Sequence, residues 1–339
     1  MKIKLGKRSA TVLSATAIVL SLVLSSFLYL NLVKPYDGPM ESISIGATLL
    51  ESSGPLFVAK EQNFFAENGL DVAIKYYDVG LNAVNDQLAG KIDIALSAEY
   101  ILVGKALTNQ RLQTIASIAK TEFASIVARK DHSIENILDL QGKKIGVVRG
   151  TVMEYYLGQF LELNSMTISD VKLVNITLAN SANVLINGDV DAVISFPPYV
   201  ENIEQQLGSN IIVWPGQSIQ YLYGLVTCTN DWIIQHHEIV NRFLKTISQT
   251  EDYMKQHPTE SQAIVQKTMN FTQEYMAKVW VRNEFSLSLD QSLVSAMENE
   301  ARWMINNNLT SQTMVPDFID YIYFNGLTTV DPDSVNIIR

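Results

Sequence analysis

The chain has 339 residues, 47% of them hydrophobic, a formal net charge of −10 and a single cysteine, Cys228. That is enough apolar material for a large core, and the length points to about two domains. The charge forms no long run, whereas phosphate binding needs clustered Lys and Arg, so nucleic acid is excluded as the main partner; one thiol excludes an internal disulfide and a multi-cysteine metal site.

At the N-terminus Lys2, Lys4, Lys7 and Arg8 precede an uncharged stretch over residues 9–33. A helix there would rise roughly 35 Å and cross a bilayer. The basic flank belongs in the cytoplasm, which places everything after Lys34 outside. The alternative is a cleaved signal peptide and a secreted product, but those end in small residues. Here Phe27, Leu28, Tyr29 and Leu30 are bulky, and no Cys follows to carry a lipid. Residues 1–41 are therefore expected to be an uncleaved signal-anchor helix with a short linker.

From Ser42 the pattern alternates strand and helix. Strands are expected over 43–49, 72–77 and 92–96. The helices between them end at Asn68-Gly69 and before Gly90. Two apolar runs follow, 115–118 and 124–128. The same grammar then restarts: strand 144–148, helix 151–163, strand 171–174, helix 181–186, strand 190–195. Segment 88–97 ends a helix, turns at Gly90, carries Asp93 inside an apolar strand and finishes at Ser97. Segment 185–195 repeats this with Gly188, Asp191 and Ser195. Alternation of this kind means an α/β fold with parallel sheets. The recurrence of a whole βαβαβ unit means two lobes of similar architecture. Beyond two more apolar runs, 211–214 and 221–227, residues 231–307 are helix-periodic and read as cladding for the first lobe.

Conventional catalytic signals are missing. There is no Gly-x-Ser-x-Gly elbow, no Walker loop and no dinucleotide fingerprint, so no cofactor is expected. His132, His236, His237 and His257 have no metal-ligand spacing and read as surface residues. The informative positions are the C-terminal strand ends, where α/β sheets bind ligands. In the first lobe these are Glu51, Ser52 and Ser53; Asp78; Ser97, Ala98 and Glu99; and Thr121 with Glu122. In the second they are Arg149, Gly150, Thr151 and Val152, then Ser195 and Phe196. Tyr223 is one of several tyrosines suited to stack on a ligand. The Arg149-Gly150-Thr151 step is the sharpest. Gly150 admits close backbone approach and Thr151 can cap a helix whose amides face an anion or carbonyl. It is expected to face Glu51, Ser52 and Ser53 across the cleft; the plain alternative is an ordinary cap with a solvent-facing Arg. The acidic residues would suit a ligand that also carries amine or ring N–H donors, a small zwitterionic or heteroaromatic molecule.

The run from Gly54 to Val72, with Pro55, Leu56, Ala59, Phe64, Gly69 and Leu70, resembles the opening of the nitrate/sulfonate/taurine-type solute-binding proteins, the SsuA/THI5-like group, though Asn63 stands where that group has Gly. Ala89-Gly90 with Asp93, and Asp139-Leu140 with Gly142-Lys143 and Gly146, resemble two further segments of it. The resemblance covers about 43–227. It implies a type II periplasmic-binding-protein fold: lobe one over 42–128 and 225–339, lobe two over 129–224, and a two-strand hinge near Ala128 and Leu225. It further implies a monomer that binds a sulfonate, taurine, nitrate, bicarbonate, pyrimidine precursor or flavin. Its partners would be an ABC permease and the ATPase subunits that hydrolyse ATP, so the chain itself would not be an enzyme. The alternatives are a thiamine-pyrimidine synthase, whose Cys-rich motif this chain lacks, and a membrane-tethered sensor.

Overall fold

The computed structural model describes residues 36–217 and 220–338. The expected anchor over 9–33 lies outside the described residues; among those described, no helix is long and apolar enough to cross a membrane.

Two sheets organise the chain. The first has six strands in the order β11-β4-β10-β3-β1-β2: β1 (Glu41–Thr48), β2 (Leu70–Tyr77), β3 (Ile94–Ala98), β4 (Leu112–Thr121), β10 (Leu222–Thr229) and β11 (Asn283–Glu284). The second has five in the order β7-β6-β8-β5-β9: β5 (Ser125–Arg129), β6 (Lys144–Val147), β7 (Lys172–Asn175), β8 (Ala192–Ser195) and β9 (Ile211–Pro215). In each sheet the first strand of the repeat pairs in parallel with the next two, β1 with β2 and β3, β6 with β7 and β8. Antiparallel strands, β10 and β5, complete the pattern.

The recurring Asp has a physical reason. Asp93 Oδ2 accepts from the Ser44 amide (2.7 Å) and hydroxyl (2.6 Å), tying β3 to β1. Asp191 Oδ2 accepts from the Lys144 amide (2.7 Å), tying β8 to β6. In both halves a carboxylate locks the entry of the third strand onto the first. His132 Nδ1 lies 2.7 Å from Asp191 Oδ1, so this histidine is half-buried and partnered. Burial opposes ionisation of Asp191, but the Lys144 amide and His132 hold its carboxyl below the usual range.

The crossing points differ from expectation. Ser125–Arg129, expected to close the first lobe, belongs to the second sheet, between β8 and β9. The chain therefore leaves the first sheet through 122–124. It returns through 216–221, since β10 already begins at Leu222. An apolar run marks a strand but does not say which sheet receives it. Gln217 binds the two crossovers together: its Oε1 accepts from the Phe123 amide (3.0 Å), and its Nε2 donates to the carbonyls of Thr121 (2.9 Å) and Gln220 (2.7 Å).

Helices cover the sheets. In the first half α1 (Gly54–Glu61), α2 (Gly80–Leu88) and α3 (Glu99–Ala106) follow β1, β2 and β3; in the second α4 (Val152–Leu163) follows β6. Of the late helices, α5 (His237–Gln256) packs on α1, and α6 (Gln291–Asn306) packs on α3, the cladding expected of them. Helix α6 also reaches the second half. Trp303 is buried against Gly158 of α4, where an added Cβ would lie 2.2 Å from the ring, and its indole Nε1 donates to Glu162 Oε1 (3.1 Å).

Candidate functional site

A cavity of about 90 Å³ lies where the C-terminal strand ends of both sheets meet. From the first half it is lined by Thr48, Leu50 and Ser52 after β1, by Asp78, Val79 and Gly80 after β2, and by Leu96, Ser97 and Ala98 at the end of β3, with Ile101, Leu222 and Gly224 behind them. From the second come Val148, the Thr151–Met153 opening of α4, Leu178 and Phe196; Phe123 enters from the crossover. The topology explains the convergence: in every parallel unit the strand ends at the crevice and the next helix begins there. Gly80 opens α2 tightly against β3; a Cβ on it would sit 2.9 Å from Ser97 Cα, so the helix start needs a glycine.

The lining is mostly apolar. Ser97 is the exception of interest: it is 5% exposed, and its Oγ is buried with no hydrogen-bond partner. A buried polar atom left unpaired is costly. A second chamber of about 310 Å³ adjoins the first and shares Leu50, Asp78, Leu178 and Phe196 with it. Its further walls are Tyr76, Tyr77, Tyr199 and Phe271. A wider groove of about 770 Å³ lies elsewhere, around the α4–α6 contact at Tyr155, Gln220 and Trp303. It is not at the strand ends.

Of the sequence-derived candidates, Ser52, Asp78, Ser97, Ala98, Thr151, Val152 and Phe196 are brought together around the cavity. Thr151 caps α4 as expected, its Oγ1 accepting from the Met153 amide (3.3 Å) and donating to the Val148 carbonyl (2.7 Å). The others are not part of its lining. The Arg149 guanidinium is held by Glu154, with Nε and Nη2 each 2.9 Å from Oε1, and the Gly150 amide donates to Glu154 Oε2 (2.9 Å). Glu154 is buried in the first turn of α4 and takes those donors, and Arg149 does not join Ser52 in the cavity lining. Glu51 accepts from the Tyr275 hydroxyl (2.8 Å), and burial raises its pKa. The Ser53 hydroxyl donates to the Thr48 carbonyl (2.7 Å). Thr121 bonds Asn283 (2.7 Å), Ser195 bonds Ser181 (3.1 Å) and the Tyr223 hydroxyl donates to Ser292 (3.0 Å). Glu122 is exposed beside Arg282 on an outer groove.

Glu99 turns furthest from expectation. It is fully buried behind β10, where Oε2 accepts from the Tyr223 amide (2.8 Å) and Oε1 lies 3.4 Å from Gln220 Nε2. The same Gln220 nitrogen donates to Glu300 Oε1 (2.8 Å) on α6, also fully buried. Burial pushes Glu99 up to about 7. Burial, then the neighbouring Glu99 charge, pushes Glu300 well above the carboxylate range. Both buried carboxyls are thus held toward the protonated form, with Gln220 between them and Glu300 Oε2 left without a hydrogen-bond partner.

Sequence reasoning placed Gly80 at a ligand-facing strand end but missed Phe123, Val148, Leu178 and Leu222. Those four are apolar, with no signal in the sequence to mark them. No histidine lines the cavity: His236 packs on Trp232, His257 on Tyr253, and His237 is exposed beside Glu238.

Comparison with known proteins agrees with this architecture. The family described as NMT1/THI5 like matches residues 51–261. A putative thiamine biosynthesis protein of Haemophilus influenzae is 28% identical over 217 residues, 61% of this chain and 66% of that protein, just under two thirds of its length. A putative aliphatic sulfonates-binding protein of Bacillus subtilis is 22% identical over 288 residues, 83% of this chain and 86% of that one. Among solved structures, the alkanesulfonate-binding protein SsuA from Xanthomonas axonopodis pv. citri, bound to MOPS, superposes with a TM-score of 0.72 at 14% identity, covering 85% of this chain and 99% of that one. The fold is shared by an enzyme as well: the desulfurization enzyme DSZB superposes with a TM-score of 0.61 at 14% identity, over 86% and 99%.

Proposed function

Since the chain belongs to the NMT1/THI5-like family, we propose that it is the extracytoplasmic solute-binding component of an ABC importer. It binds a small molecule between two lobes built on the two sheets and delivers it to a permease served by separate ATPase subunits. Residues 9–33 tether it to the membrane. The observation that carries the reading is the cavity itself: it gathers strand ends and helix starts from both sheets around an unpaired buried hydroxyl, that of Ser97. A ligand touching both halves shields itself from water and biases the open–closed equilibrium, which is how a clamp reports occupancy to a partner. The candidates at the cavity, Ser52, Asp78, Ser97, Ala98, Thr151, Val152 and Phe196, are the proposed contacts. The mostly apolar lining also favours binding over turnover, because neither a nucleophile–base pair nor Cys228, buried in β10, lies there.

The test is a thermal-shift screen of the full chain against alkanesulfonates, amino acids, small ammonium compounds, nitrate and pyrimidines, in parallel with Ala98→Leu, which fills the cavity. A ligand at a hundredfold its Kd stabilises by about 2.7 kcal/mol. The reading requires a shift in the native chain that Ala98→Leu abolishes. A shift that Ala98→Leu retains puts the site elsewhere. Chemical turnover of any shifting compound moves the protein to the enzyme side of the fold. Intact mass of the membrane fraction checks the tether: a soluble product beginning after Leu30 refutes it.

A further inference from the structure

We propose that the inner cavity and its outer chamber form one site for a small organic cation, the charge seated between Asp78 and the outer aromatic rings and a short polar arm reaching inward to Ser97. This deepens the reading of a solute site between the sheets and rests on it. The two chambers adjoin, with Leu50, Asp78, Leu178 and Phe196 walling both. Neither is lined by a Lys, Arg or His, and Asp78 is the one charged side chain in the two linings. Its carboxylate has no hydrogen bond or ion pair among the described residues.

Around it stand the rings of Tyr76, Tyr77, Phe196, Tyr199 and Phe271. Phe196 and Tyr199 meet edge to face at 5.7 Å and 83°. Aromatic faces are electronegative and attract ammonium groups, most strongly where water is thin. A sulfonate or carboxylate head in the outer chamber would face those rings and an uncompensated carboxylate. Asp78 is near enough to Tyr199 that its charge, after burial, holds that phenol above its ordinary value. Further in, the polarity reverses. Helices α2 and α4 begin at the inner cavity, at Gly80 and Val152, and Ser97 Oγ waits unpaired. That end suits a hydrogen-bonding arm such as a hydroxyl or carbonyl. At about 90 Å³ it admits only a few non-hydrogen atoms, well below the ~300–1,000 Å³ of usual ligand pockets.

Three probes with one common hydroxyethyl arm isolate the head group: choline, its uncharged isostere 3,3-dimethylbutan-1-ol, and 2-hydroxyethanesulfonate. Calorimetry on the full chain at low salt should find choline bound at least tenfold more tightly than the isostere and no heat from the sulfonate. Asp78→Asn, an exposed isosteric change, should weaken choline by about tenfold or more while leaving the isostere within about twofold. Tyr199→Leu should weaken choline alone. Equal affinity for choline and its isostere, or choline binding that survives Asp78→Asn, overturns the assignment. So does silence toward both choline and tetramethylammonium at millimolar concentration. Binding of the sulfonate that Ala98→Leu abolishes would overturn the cation while leaving the interlobe site intact. Silence of the whole thermal-shift panel would remove both.

Discussion

Replacing Glu300 with Gln should make the protein more resistant to rising pH. Glu99 and Glu300 are fully buried and share Gln220, with Tyr155, Tyr156 and Tyr223 closing the space around them. A carboxyl whose folded-state pKa lies above its unfolded value stabilises the fold while it is protonated. That contribution is complete below the unfolded value and is lost as pH rises through the folded one. For Glu99 the window runs from 4.5 to about 7. At about 1.4 kcal/mol per pH unit for each proton, its titration removes on the order of 3 kcal/mol across that window. Glu300 adds to the loss in the same direction, since its carboxyl is also raised. Glu300→Gln keeps an oxygen to accept from Gln220, yet cannot ionise. Near pH 5 the variant should therefore match the native chain to within about 1 kcal/mol, and near pH 8 it should be more stable by roughly 1–3 kcal/mol. Urea unfolding followed by tryptophan fluorescence between about pH 5 and 8 measures this. Asp139, Asp170 and Asp191 titrate below their ordinary range and are common to both proteins, so they cancel. A native-minus-variant difference that does not change with pH across the window would refute a raised Glu300 carboxyl.

Three further outcomes are expected. Gly158→Val should destabilise by about 1–3 kcal/mol, because the new side chain meets the buried Trp303 ring with no room to yield; a thermal midpoint equal to the native one would mean that α4 and α6 are not in close contact. Asp93→Ala should cost about 1–3 kcal/mol by stripping the Ser44 amide and hydroxyl of their acceptor, seen as a lower urea midpoint at unchanged slope. Ser97→Ala should leave stability unchanged or raise it by up to about 1 kcal/mol, since the hydroxyl it removes has no partner, while reducing the thermal shift produced by whichever solute binds.

How much was legible follows the range of the interaction. The strand–helix alternation, the Thr151 cap and the late helical cladding are set by neighbours a few residues apart, and they are where the pattern put them. The duplicated Gly-x-x-Asp step was visible as a repeat, and the structure supplies its cause in the strand-locking bonds of Asp93 and Asp191. Strand-end logic brought seven of the candidates to the cavity, because the geometry of a parallel βα unit is itself local. The tertiary structure alone decided the rest. Ser125–Arg129 went to the second sheet because its partners, β8 and β9, lie far along the chain. Arg149 is paired with a buried Glu154, and Glu99 turned inward to share Gln220 with a carboxyl on a helix distant in sequence. Phe123 and Leu222 reached the cavity from the two crossovers, with no periodicity to announce them. A side chain's type is written in the sequence, but its partner is chosen by packing, where burial makes every charge and hydroxyl answer to whatever the fold has brought within reach.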